Sequence, residues 1–180
     1  NVKNVNEAPV ITSNGGGDTA TPVSFAENST NLVTTVTSTD VDAGASATYS
    51  IVGGADAALF YINPTTGILR FINAPNFESP TDVGGNNVYD VQVQASDGSL
   101  CDTQNIAVTV TNVNEAPEIT SRSSFSVSEN TTTVTTVTAT DVDAGTTLAY
   151  TITGGADEGL FKINALTGAL SFNSAPNFES

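Results

Sequence analysis

The sequence contains no His, no Trp and no Met, one Cys at position 101, and only four Lys or Arg residues. Each shortage closes a class of chemistry. Without His there is no Ser–His or Cys–His pair and no His-ligated zinc, and one thiol can form neither a thiolate zinc cluster nor an intrachain disulfide. Most hydrolase chemistry goes with them, and the chain reads as a non-enzyme. Nineteen Asp and Glu residues leave a formal charge of −15 and a pI near 4.1, so nucleic acid is excluded as a partner. No apolar run approaches the roughly 18 residues of a membrane span, and the first residues lack the basic-then-apolar pattern of a signal peptide. What is present suffices to fold: Leu, Ile, Val and Phe supply 44 of 180 residues, enough for collapse despite the charge. The opening NVKNVNEAP reads as the end of one unit leading into the next, as expected of an interior piece of a longer protein.

An internal repeat organises the chain. NVNEAPVITS at Asn4 recurs as NVNEAPEITS at Asn112, and TDVDAG at Thr39 recurs at Thr140. GGADAALFYINPTTGILRFINAPNFES recurs as GGADEGLFKINALTGALSFNSAPNFES. The offset is 108 residues at the first motif and 101 from Asp40 onward, so the first copy carries a loop insertion near Gly15 to Gly17. The expected division is residues 1–8 as the end of a preceding repeat and its linker, 9–111 as a complete repeat, 112–116 as a linker, and 117–180 as a second repeat. That second repeat lacks counterparts of VYDVQVQASDG and DTQNIAVTVTN.

Local pattern says strand. Tyr89, Val91, Val93 and Ala95 alternate with Asp90, Gln92 and Gln94, and Ile106, Val108 and Val110 repeat the scheme, as half-buried strands require. Runs rich in Val, Thr, Ile, Tyr and Phe are separated by turn residues such as Gly53-Gly54, Thr66-Gly67 and Asp97-Gly98. Only GADAALF and GADEGLF suit a helical turn, dropping Leu59, Phe60, Leu160 and Phe161 into the core. About seven strands per repeat predict an all-β chain of immunoglobulin-like Greek-key β-sandwiches, whose opposite ends would set tandem copies end to end.

Eleven of the 19 acidic residues fall in repeated strand-end or linker motifs: Glu7, Glu27, Asp40, Asp42, Glu78, Asp97, Glu115, Glu129, Asp141, Asp143 and Glu179. Asp40 and Asp42, one residue apart in an extended segment, would face each other's charge, and two unit charges about 4 Å apart repel by about 4 kcal/mol at an effective dielectric near 20. An arrangement repeated in each unit calls for a counterion. Carboxylates, Asn side chains and backbone carbonyls are the all-oxygen set that Ca²⁺ selects.

At these motifs the chain resembles tandem cadherin-like domains, of the kind found in very large bacterial surface and secreted proteins. The resemblance implies calcium between successive domains, held by Glu27, Asn76 and Glu78 of the first copy, by Asn112, Asn114 and Glu115 of the linker, and by Asp141 and Asp143 of the second copy. At the preceding junction the equivalent positions are Asn4, Asn6, Glu7, Asp40, Asp42 and Asp97, and at the following one Glu129, Asn177 and Glu179. Asn76 and Asn112 stand where the family usually has Asp, and the linker is one residue shorter than the animal form. Fewer or weaker ions than in animal cadherins are therefore expected.

Other readings compete. Acidic strand ends also serve as solvated turn formers. TDVDAG lacks the closing Glu of a 12-residue EF-hand loop, and a glycosidase carboxylate pair has no reason to recur in each repeat. Tyr49, Tyr150 and the Phe residues read as core. Cys101 should be partly exposed between two turns, as a passive thiol or an interchain partner, and the Asn28 and Asn130 glycosylation triplets read as chance matches. The implied function is an extracellular spacer or adhesion repeat of a large bacterial surface or secreted protein, stiffened by calcium. Its partners would be neighbouring repeats of the same chain, surface protein or carbohydrate ligands, or another copy. Two alternatives are a subunit of an extracellular filament or surface assembly completed by strand donation, and an accessory module of a secreted enzyme.

Overall fold

The computed structural model describes residues 2–42 and 44–179; Asn1 and Ser180, the expected outer domain limits, and Ala43 of the first TDVDAG motif lie outside the described residues. The chain divides into two compact units, Asn1–Val113 and Asn114–Ser180.

In the first unit, β1 (Val10–Ile11) pairs antiparallel with β4 (Ser38–Thr39). The chain then changes sheets, and β2 (Val23–Ala26) runs parallel to β9 (Cys101–Thr111). A four-stranded sheet follows the order β2, β9, β8 (Val88–Ser96) and β5 (Thr48–Gly53). Facing it is a three-stranded sheet of β3 (Leu32–Thr35), β7 (Ile68–Phe71) and β6 (Phe60–Ile62). This is an immunoglobulin-like β-sandwich, all-β apart from short 3₁₀ turns.

The alternation seen in the sequence sets its packing. Tyr89, Val91, Val93 and Ala95 of β8 and Ile106, Val108 and Val110 of β9 are buried, while Asp90 is exposed. Phe71 lies among Phe60, Phe25 and Tyr89, with ring centroids 4.4, 5.2 and 5.2 Å away, the Tyr89 ring edge-on at 87°. Each such pair adds about 0.5–1.5 kcal/mol beyond burial of its area. The insertion near Gly15 to Gly17 is a loop held from beneath. Gln104, fully buried, donates its side-chain N–H to the carbonyls of Ser13 and Gly17, both at 3.1 Å.

The second unit repeats part of this plan. β10 (Glu118–Ile119) pairs with β12 (Ala139–Thr140) as β1 does with β4, and β11 (Thr133–Thr136), β14 (Ala169–Phe172) and β13 (Phe161–Ile163) repeat the three-stranded sheet. Phe161 lies on Phe172 at 4.6 Å and 31°, closely matching Phe60 on Phe71 at 31°. Among the described residues there is no counterpart of β2, β5, β8 or β9, and only Gly168 is buried.

That difference divides the expectations about core residues. The 3₁₀ turn Ala57–Leu59 delivers Phe60, 4 % exposed, into the core, with Leu59 packed against it. The matching turn Glu158–Leu160 leaves Leu160 59 % exposed and Phe161 half-buried, because no described strand covers that face. Phe125 and Phe178, expected in the core, are exposed for the same reason. Cys101 opens β9 and is exposed.

Candidate metal centre

Strand ends place the acidic residues of the first unit. Asp40 follows β4 and Asp97 follows β8, so both carboxylates emerge at one pole of the sandwich. The chain bends after Asp40 instead of continuing extended, and the Asp42 N–H turns back onto Asp40 Oδ1 at 2.8 Å. Asp42 is thus paired with Asp40 through its backbone, and the expected side-by-side approach in a straight strand does not occur. The leading linker lies across this pole. Asn4 donates its side-chain N–H to Asp42 Oδ1, the Glu7 backbone N–H donates to Asp42 Oδ2 at 2.9 Å, and Asn6 Nδ2 donates to Asp97 Oδ2 at 2.7 Å. Asp97 Oδ1 also accepts the Ser99 and Leu100 N–H groups, each at 2.7 Å.

These donors favour the charged forms. The Asn4 amide, then the Glu7 backbone N–H, hold the Asp42 carboxyl below the ordinary aspartate value. Asp97 is lowered by the backbone N–H groups of Leu100 and Ser99 and by the Asn6 amide. Asp40 Oδ2 is buried and has no hydrogen-bond partner. A buried carboxylate oxygen without a protein donor, on an aspartate bonded to Asp42, fits a cation ligand.

At the other pole Glu27 follows β2 and is 3 % exposed. Its Oε2 accepts the Phe77 N–H at 2.7 Å and its Oε1 accepts the Val113 N–H at 2.8 Å. A carboxylate oxygen of Glu27 lies within 4.8 Å of one of Glu78, a like-charge approach that a cation would relieve. Asn112 Nδ2 donates to Glu78 Oε1 at 3.2 Å. Asn76 turns away: its Oδ1 accepts the Ser79 N–H at 2.8 Å and closes a local turn.

The second unit repeats part of these arrangements. Glu115 N–H donates to Asp143 Oδ2 at 2.8 Å, Asp143 N–H to Asp141 Oδ1 at 2.9 Å, and Asn114 Nδ2 to the Glu115 carbonyl at 2.9 Å. Glu129 is exposed and accepts the Phe178 N–H at 3.2 Å, and Asn177 Oδ1 accepts the Glu179 N–H at 3.1 Å. Asn4, Asn6 and Asn112, expected as oxygen ligands, turn side-chain N–H toward carboxylates, which attract the donor end of an amide, and Asn114 turns its N–H to a backbone carbonyl.

Sequence reasoning passed over two buried carboxylates. Asp56 accepts the N–H groups of Val83 at 2.7 Å and Asp90 at 2.8 Å, and Asp82 accepts those of Asn86 and Asn87 at 3.0 Å. Both knit loops, and Asp56 had a signal in the shared GGAD motif.

The family described as Bacterial Ig domain matches residues 114–180. Protocadherin Fat 4 of Mus musculus is 34 % identical over 159 residues, 83 % of this chain and 3 % of its own length. Its Homo sapiens relative is 32 % identical over 151 residues, 78 % of this chain and again 3 % of its own length. The repeats are cadherin-like. Among solved structures, human Protocadherin-24 EC1-2 form II has a TM-score of 0.65 at 24 % identity, covering 97 % of this chain and 81 % of that one. Human CDH23 EC21-23 has a TM-score of 0.61 at 23 % identity, covering 99 % of this chain and 58 % of that one. At those identities the structural likeness speaks for the fold alone. The cadherin-like chain spans about 3 % of the length of the curated relatives it matches. Among the described residues no helix is long and apolar enough to cross a membrane.

Proposed function

We propose that this cadherin-like chain is a non-catalytic extracellular spacer or adhesion segment of a large bacterial surface or secreted protein, and that Ca²⁺ bound at the ends of its repeats stiffens it. One observation carries the reading. Strand ends and linker bring Asp40, Asp42 and Asp97 to one pole with a buried, unpartnered oxygen, while Glu27 and Glu78 approach within 4.8 Å at the other. Oxygen donors without thiol or imidazole suit Ca²⁺ and disfavour zinc. Glu27, Asn76, Glu78, Asn112, Asn114, Glu115, Asp141 and Asp143 would serve the junction between repeats. Asn4, Asn6, Glu7, Asp40, Asp42 and Asp97 would serve the one before it, and Glu129, Asn177 and Glu179 the one after. Weak sites suffice, because extracellular modules work at roughly 10⁻⁴ to 10⁻³ M.

Melting the chain in excess chelator and in millimolar calcium tests this. Millimolar calcium, about one to ten times such a Kd, adds about 0.4–1.4 kcal/mol per site to the state that binds it, so the melting temperature should rise by a few degrees. Identical melts, together with no heat in a calorimetric titration, would overturn the reading.

A further inference from the structure

We propose that the side-chain amides of Asn4 and Asn6 tie the leading linker to the first unit without metal, so that calcium acts on a linker already seated. The inference rests on the calcium reading above only where it concerns competition with the ion. Within four residues the linker offers Asn4 Nδ2, Asn6 Nδ2 and the Glu7 N–H, and all three donate to Asp42 or Asp97. Both Asp42 oxygens are taken in this way. Because each acceptor is ionised, these bonds belong to the stronger, charge-assisted kind.

The chemistry of the amide makes the tie specific to Asn. An amide has an N–H end that a carboxylate attracts and an oxygen end that Ca²⁺ attracts, so one orientation cannot serve both. The metal-free linker needs nitrogen toward Asp42 and Asp97, and an oxygen-ligated ion needs the amide turned over. An Asp at position 4 would instead set a like charge against Asp42 and release the linker whenever metal is absent. Asn112, the counterpart of Asn4, also turns its Nδ2 to a carboxylate, but to Glu78 Oε1 of the preceding repeat at 3.2 Å. Linker asparagines thus trade metal affinity for order in the metal-free state.

Amide hydrogen exchange at Glu7 tests the idea, with the buried amides of Val93 and Val108 as the folding control. In excess chelator the native Glu7 N–H should exchange at least about tenfold more slowly than in a free peptide. Asn4→Asp should remove that protection, and millimolar calcium should restore it, while Val93 and Val108 stay unchanged. A Glu7 amide at the free-peptide rate in chelator, or full protection retained in Asn4→Asp, would overturn the proposal. A calorimetric titration separates the two ideas: heat on adding calcium without chelator-state protection sinks the tie alone, whereas protection in chelator without heat sinks the calcium reading and leaves the tie standing.

Discussion

Residues 48–53, TYSIVG, and 149–154, AYTITG, occupy equivalent positions in the two repeats, yet only the first is a strand. In the first unit, β5 pairs with β8 from Thr48 opposite Ser96 to Gly53 opposite Gln92. In the second there is no described strand beside residues 149–154, and these residues carry no strand. Tyr49 and Tyr150 nonetheless keep the same backbone bond, to Pro64 and Ala165, both at 2.9 Å. Local contacts survive without the neighbour; the ladder does not, because a strand's N–H and C=O groups lie in the sheet plane and need a partner there.

Hydrogen exchange puts the largest number on this contrast. Amides in 50–53 should exchange on the order of a thousandfold more slowly than those in 151–154, since local opening spans from near zero to the full unfolding free energy. Similar rates would show that the second repeat orders this segment without a neighbouring strand.

Core truncation should divide the repeats next. Leu69 is fully buried and Leu170 half-buried. Leu69→Ala should cost about 2–5 kcal/mol in denaturant unfolding of the first unit. Leu170→Ala should lower the stability of the second unit by about half as much or less, since less area leaves water. Equal losses would place a closed core in both units.

Glu27 and Glu129 give the next pair. Glu27→Ala strands two backbone N–H groups, at Phe77 and Val113, at about 1–3 kcal/mol each. Glu129 is exposed and accepts the Phe178 N–H at 3.2 Å, so Glu129→Ala should change stability by about 0.5 kcal/mol. Chemical denaturation in chelator reads both without interference from an ion.

The glycines of the repeated GGAD motif supply the finest comparison. Gly54 has φ +104°, and an added Cβ would lie 2.4 Å from Asp90 O and Val91 Cα, so Gly54→Ala must displace β8. Gly155 has φ +124° with open space around it, so Gly155→Ala should cost only its backbone strain, about 1 kcal/mol. A smaller loss at Gly54 than at Gly155 would mean that β8 yields easily at that point.

Much of this was legible beforehand where a period of two writes burial into the letters. Val88–Ser96 and Cys101–Thr111 alternate as expected because each has one face on the core. Asp40, Asp42 and Asp97 were grouped at one junction by the cadherin-like resemblance, not by strand pattern. The bend between Asp40 and Asp42 was not legible, since an Asp side chain can cap a nearby N–H as readily as it can point outward. Nor were the roles of Asp56 and Asp82, whose partners at Val83, Asp90, Asn86 and Asn87 come together only when the loops close. Leu160 and Phe178 carried the same apolar signal as Leu59 and Phe77, but burial depends on what stands opposite.

The amino-acid sequence by itself determined the repeat, the sandwich-forming alternation and an ionic chemistry of oxygen alone, because those properties reside in residue identity and spacing. Tertiary structure decided which of two near-identical segments becomes a strand and which end of an asparagine amide meets an aspartate. Both depend on a group distant in the chain: a strand needs an edge to complete its hydrogen bonds, and an amide turns to suit the charge that folding sets before it.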